Sequence, residues 1–147
     1  MPIVTRILSA LTPGIPAPAP LPEPDARLAL GALMVRVAKS DHTYVFAEIA
    51  RIDRLLARLN HINPVEAAKM RATCERLNAE APDTETFATL IRENVPFDQR
   101  IEALSALWSV VLADGRKTPD ELEMIESTRA ALGLSEDDSE TARTKAG

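Results

Sequence analysis

The chain has 147 residues, a length that suits a single domain with one hydrophobic core. Hydrophobic residues make up 46 % of it and aromatic residues only 3 %, which favours helices, because strands draw on aromatic and β-branched side chains. The net charge of −5 argues against nucleic acid as a partner, since such binders present a basic face. No apolar run reaches about 18 residues, so we expect no transmembrane helix and a cytoplasmic protein.

Residues 1–24 are predicted to form an N-terminal tail and a proline-rich linker. Six prolines lie between positions 13 and 24, a composition typical of an extended polyproline segment. Residues 3–11 before them can form a short amphipathic helix, although a helix of this length is marginal alone. We therefore expect a frayed tail, and the alternative is a docking segment through which an adaptor contacts a partner or a membrane surface.

Residues 25–147 carry start and stop signals for seven helices, and no segment has the pattern of a strand. In "NPVE" and "TPDE", Asn63 and Thr118 are suitable N-cap residues, each followed by proline and by glutamate at the third helical position. Ser135, in "SEDD", is a third suitable N-cap residue. Asn60 suits the position just after the second helix. The predicted helices cover about 25–40, 45–59, 64–80, 83–94, 97–113 and 119–132, with a short last helix after residue 135.

Two segments of this domain match at an offset of 73 residues. Each has an apolar helix, a turn that contains aspartate, and a second helix with glutamate near its start. One such hairpin cannot bury its apolar face alone, whereas two packed together can. We therefore predict an all-α compact bundle of about seven helices built from two pseudo-symmetric hairpin repeats. The aligned pairs are Asp41 with Asp114, His42 with Gly115, Glu48 with Glu121, and Asn60 with Gly133.

The duplicated pattern resembles the TerB family of tellurite-resistance-associated proteins. The strongest match is "WSVVLADGRKTPDELEMI", its degenerate partner is "LMVRVAKSDHTYVFAEIARIDRLL", and "APDTETF" and "VPFDQRIEALSALW" are also similar. The resemblance covers about residues 25–140 and implies a compact seven-helix domain. It also implies a non-enzymatic stress-response module that acts through protein partners, with acidic residues proposed to bind a divalent cation. The first copy departs from the family pattern, because Asp41 is followed by His42 instead of glycine.

The acidic residues of the two turns have two interpretations. Asp41 and Asp114 lie at the ends of helices, where a carboxylate is unfavourable by about 0.3–1 kcal/mol. In the first interpretation they accept hydrogen bonds from their own turns, and the glutamates only favour the start of the next helix. In the second, the turns converge on Ca²⁺ or Mg²⁺, which require several oxygen ligands. The candidate metal ligands are Asp41, Glu48, Asp114, Glu121 and Asp120.

No other pattern in the chain indicates catalysis. A nucleophile elbow and a phosphate-binding glycine loop are absent from the sequence, so we expect no enzyme. The alternative is a small metal-dependent hydrolase that uses the same carboxylates. Cys74 is expected to be a buried inert thiol, and Trp108 a core residue. Tyr44 and Phe46, beside the first acidic turn, are also expected to make core contacts.

Overall fold

The computed structural model describes residues 25–40, 42–80, 83–113, 115 and 117–146. These residues form seven α-helices and contain no strand, which confirms the all-α prediction. The predictions for residues 1–24, Asp41 and Asp114 lie outside the described residues. The helices are α1 (Ala26–Ala38), α2 (Phe46–Asn60), α3 (Pro64–Glu80), α4 (Thr84–Asn94), α5 (Phe97–Val111), α6 (Pro119–Ala131) and α7 (Glu136–Ala146).

Side-chain capping stabilises the first turns of several helices. Asn63 Oδ1 accepts a hydrogen bond from Glu66 N at 2.8 Å, and Ser135 Oγ accepts one from Asp138 N at 3.0 Å. Each bond satisfies a backbone N–H group that has no partner inside its own helix. The predicted N-caps are therefore confirmed.

The end of α2 differs from the prediction by one residue. Asn60 is the last helical residue, and His61 adopts the left-handed conformation with φ of 55°. Asn60 Nδ2 instead donates to Leu56 O at 3.0 Å within the helix. Histidine is uncommon at positive φ but tolerates it better than most residues. The predicted helix end is therefore present, but His61 forms it instead of Asn60.

Helix α1 lies at the centre of the bundle and packs against α2, α3, α4, α5 and α6. It crosses α3 closely at Gly31, where an added Cβ would come within 3.0 Å of Cys74 Sγ. Cys74 is buried, and burial is the largest cause that raises its pKa from 9.0 to about 12. The expected burial of Cys74 is confirmed, its inertness stays a prediction, and Gly31 is explained by close helix contact.

Helices α5 and α7 pack against each other. Trp108 is buried in α5, and its Nε1 donates to Ser139 Oγ of α7 at 3.1 Å, which confirms it as a core residue. The pseudo-symmetric relation of the two repeats remains a prediction. Across the described ranges, no helix combines the length and the apolar character needed to cross a membrane.

Candidate functional site

The turn before α2 positions one buried carboxylate. His42 has φ of 66°, and its N–H donates to Lys39 O at 3.0 Å. Glu48 is the third residue of the helix that follows and is 2 % exposed. Its Oε1 accepts a hydrogen bond from Val45 N at 3.2 Å. The Glu48 carboxylate thus satisfies the N–H of the N-cap residue, as the glutamate of a capping box does, although valine offers no side-chain cap in return.

The turn before α6 has the same local design with a stronger cap. Gly115 has φ of 76°, and Thr118 Oγ1 accepts a hydrogen bond from Glu121 N at 3.2 Å. Glu121 is 1 % exposed, and its Oε1 accepts from Thr118 N at 3.2 Å and from Thr118 Oγ1 at 3.0 Å. This is the predicted capping box, with the glutamate at the third helical position.

The two turns therefore agree at the positions that the sequence alignment pairs. A left-handed residue occurs at positions 42 and 115, and a buried glutamate occurs at positions 48 and 121. The sequence predicted glutamate in the first turn of each helix but gave no signal that either side chain would be buried. The burial depends on neighbouring helices that sequence spacing does not specify.

One carboxylate oxygen of Glu121 has no hydrogen-bond partner among the described residues. Oε2 of Glu121 is buried and accepts no hydrogen bond within the described part of the chain. An unsatisfied buried polar group costs about 1–3 kcal/mol, and more when it is charged. Capping accounts for Oε1 of this carboxylate but not for Oε2.

The remaining candidate ligands are less enclosed or lie outside the described residues. Asp120 is exposed in the first turn of α6. Among the residues that the structure describes, no group of three or more His, Cys, Asp or Glu side chains is placed to hold a metal ion. Asp41 and Asp114, which would complete the predicted set around Glu48 and Glu121, are not among them. The five-residue cation site therefore stays a prediction.

Comparison with models of known protein families identifies the family of this chain. The family model described as "Tellurite resistance protein TerB" matches residues 27–144. The chain belongs to the TerB family. Neither a curated protein nor a solved structure matches the chain significantly.

Beside the first acidic turn of this TerB domain, Tyr44 is tied to α3. Its hydroxyl donates to Glu75 Oε2 at 2.8 Å, and Arg71 Nη1 donates to the same oxygen at 3.0 Å. Arg71 Nε also donates to Asp53 Oδ1 of α2 at 2.6 Å. Burial, followed by the hydrogen bond to Glu75, raises the pKa of Tyr44 above its ordinary value. Tyr44 is half-buried and packs against the hydrophobic core, which confirms the expected core contact.

Phe46 contradicts the expectation of a core contact. It is 82 % exposed at the first position of α2. Phe46 is two residues from Glu48, which places its ring on the other side of the helix from the buried Glu48, Ile52 and Leu55. An exposed aromatic ring thus lies two residues before the buried Glu48.

Proposed function

We propose that this TerB-family protein is a non-enzymatic module of a tellurite-resistance-associated stress response, and that it acts through a protein partner under control of a divalent cation. The observation that carries the proposal is the buried Oε2 of Glu121, which has no hydrogen-bond partner in the described part of the chain. A cation beside this oxygen would offset the cost of burying it.

The chemistry of the turns favours a hard cation. Glu48 and Glu121 supply buried carboxylates from two helices, and Asp41 and Asp114 supply the remaining oxygens in the proposed site. Ca²⁺ and Mg²⁺ both prefer oxygen ligands of this kind. Asp120, being exposed, has the role of an outer ligand in this proposal.

The proposed partner surface includes Phe46. Aromatic side chains are enriched at protein interfaces, and this ring is exposed next to the first acidic turn. Cation binding at the turn would fix the first residues of α2 and with them the position of Phe46. This supports an interaction that depends on the cation, and the partner is a protein of the same stress response.

The cation part is tested by calorimetric titration of chelator-treated protein with Ca²⁺, Mg²⁺ and Mn²⁺. We expect saturable binding that Glu121→Gln and Glu48→Gln each weaken. Glutamine is also a capping-box residue, so these variants remove charge while they keep the start of each helix. Glu66→Gln is the matched control, because Glu66 has the same capping position in α3 but is exposed.

Two results would contradict the cation part. One is the absence of both heat and thermal shift at millimolar cation. The other is an equal loss of binding in the Glu66→Gln control, which would show that general surface charge is responsible.

The interaction part is tested by pull-down from native lysate with and without chelator. We expect a protein that is retained only with the cation and is lost with Phe46→Ala. Val65→Ala is the control, since Val65 is also exposed at the start of a helix. Retention that is unchanged by chelator or by Phe46→Ala would refute the proposed surface.

A further inference from the structure

Three arginines of α2 share one face of the helix. Arg51, Arg54 and Arg58 are three and four residues apart, a spacing that places side chains next to each other. They line a cleft of about 430 Å³ whose other walls come from α5 and α7. We call it the arginine cleft. Ser105, Ser109 and Lys145 also line it, whereas neither Glu48 nor Glu121 does.

One arginine is fixed against the wall of the cleft. Arg51 Nη1 donates to Ser109 Oγ at 2.7 Å and to Ser109 O at 3.4 Å. Lys145 Nζ pairs at 2.7 Å with Glu102 Oε1, which is the only carboxylate among the cleft's described lining residues. The cleft is therefore lined by four cationic side chains and one carboxylate, in a chain whose net charge is −5.

The other two arginines differ from Arg51 in their contacts. In the described ranges, Arg54 and Arg58 make no hydrogen bond and no ion pair, and both are exposed. Arg71, Arg129 and Arg143, by contrast, are each paired with a nearby carboxylate. Like charges three or four residues apart destabilise a helix. An anion between these guanidinium groups would remove that repulsion.

We propose that the arginine cleft binds the phosphate group of a small phosphorylated molecule. Guanidinium groups match phosphate geometry through paired N–H donors, and the two serine hydroxyls are further donors at the wall. Leu55 and Leu59 give the cleft an apolar side for the organic part of the ligand. The volume lies within the range of small-molecule sites. This binding is independent of the proposed cation site.

The test is an NMR titration of the full chain with inorganic phosphate and pyrophosphate, with chloride used to hold ionic strength constant. We expect saturable shifts of the Ser105 and Ser109 amides. The double variant Arg54→Gln/Arg58→Gln should bind at least about tenfold more weakly, since it loses charge-assisted hydrogen bonds. The matched control for the single variants Arg54→Gln and Arg58→Gln is Arg143→Gln, which loses the same single charge from an arginine that does not line the cleft.

A second arm identifies the source of the phosphate. Vesicles of phosphatidylcholine are compared with vesicles that also contain phosphatidic acid. Binding only to the latter, lost in the double variant, supports the site and assigns the phosphate to a lipid headgroup. Binding of the dissolved probes with the same loss supports a free ligand. The proposal is overturned if no probe binds saturably, if the double variant binds normally, or if Arg143→Gln weakens binding equally.

Discussion

Replacing Gly31 by alanine should destabilise the protein even though alanine favours helices. In an open helix the change would stabilise by about 1 kcal/mol. Here the new Cβ would lie within 3.0 Å of Cys74 Sγ and 3.4 Å from Leu56 Cδ2. Overpacking of a core costs about 1–3 kcal/mol, and this contact belongs at the upper end because the sulfur is buried among fixed neighbours. We expect a net loss of about 2 kcal/mol in the free energy of unfolding.

The loss of stability caused by Gly31→Ala should disappear or become a gain when the Cys74 sulfur is removed. In a Cys74→Ala background, the nearest remaining atoms around the new Cβ are Leu56 Cδ2 at 3.4 Å and the Cβ of residue 74 at 3.5 Å. Gly31→Ala is then expected to be neutral or to stabilise by up to about 1 kcal/mol. The four proteins of this double-mutant cycle can be compared by urea unfolding, with the fluorescence of buried Trp108 as the signal.

An equal cost of Gly31→Ala in both backgrounds would refute this reasoning, because the sulfur would then not be the cause. A wild-type background that tolerates Gly31→Ala without cost would refute it as well. Unchanged m values across the four proteins would show that the differences arise from stability rather than from a change in the denatured state.

Three further predictions concern the stability of the fold. Gly133→Ala should destabilise the fold by about 2 kcal/mol, because φ is +73° and two arginine side chains lie within 3.3 Å of the new Cβ. Gly115→Ala should cost only about 1 kcal/mol, because φ is +76° but the new Cβ would lie in open space. The higher melting temperature should therefore belong to Gly115→Ala. The folded state favours the protonated thiol of Cys74, so this contribution to stability is complete below pH 9 and should be lost as pH rises towards about 12; urea midpoints of Cys74→Ala should lack that component. Thr118→Ala should cost about 1 kcal/mol in thermal unfolding, because Glu121 N loses its acceptor, while Thr118→Ser should retain stability.

The parts of the fold that could be predicted from the sequence are those that local chemistry determines. Asn63 and Thr118 cap helices through atoms three residues away, so their roles are visible in a few letters of sequence. Phe46 was assigned wrongly because its three-residue step to Ile49 resembles a continuous apolar face, whereas the face that is buried runs through Glu48, Ile52 and Leu55 on the other side of the helix. The one-residue error at His61 has a different cause, since several polar residues tolerate positive φ.

The residues of the candidate site also differ in how far the sequence predicts them. The repeat singled out Glu48 and Glu121, whereas their burial depends on packing between distant segments. The arginine cleft was not predicted at all. Its three arginines are visible in α2, but Ser109 and Lys145 come from helices far along the chain. Only the fold shows that Arg54 and Arg58 have no partner among the described residues.

Glu66 and Glu121 show why capping alone does not explain the acidic turns. Both occupy the third position of a helix and both accept a hydrogen bond from the N-cap residue. Glu66 accepts it from the side-chain Nδ2 of Asn63 at 2.9 Å, and Glu121 accepts it from the backbone N of Thr118 at 3.2 Å. Glu66 does this while exposed, so a capping glutamate does not need to be buried. Glu121 is buried with one oxygen unpartnered, an arrangement that costs stability and adds nothing to the cap. Glutamine at either position keeps the cap. A difference in cation binding between the two variants therefore isolates the contribution of the buried carboxylate.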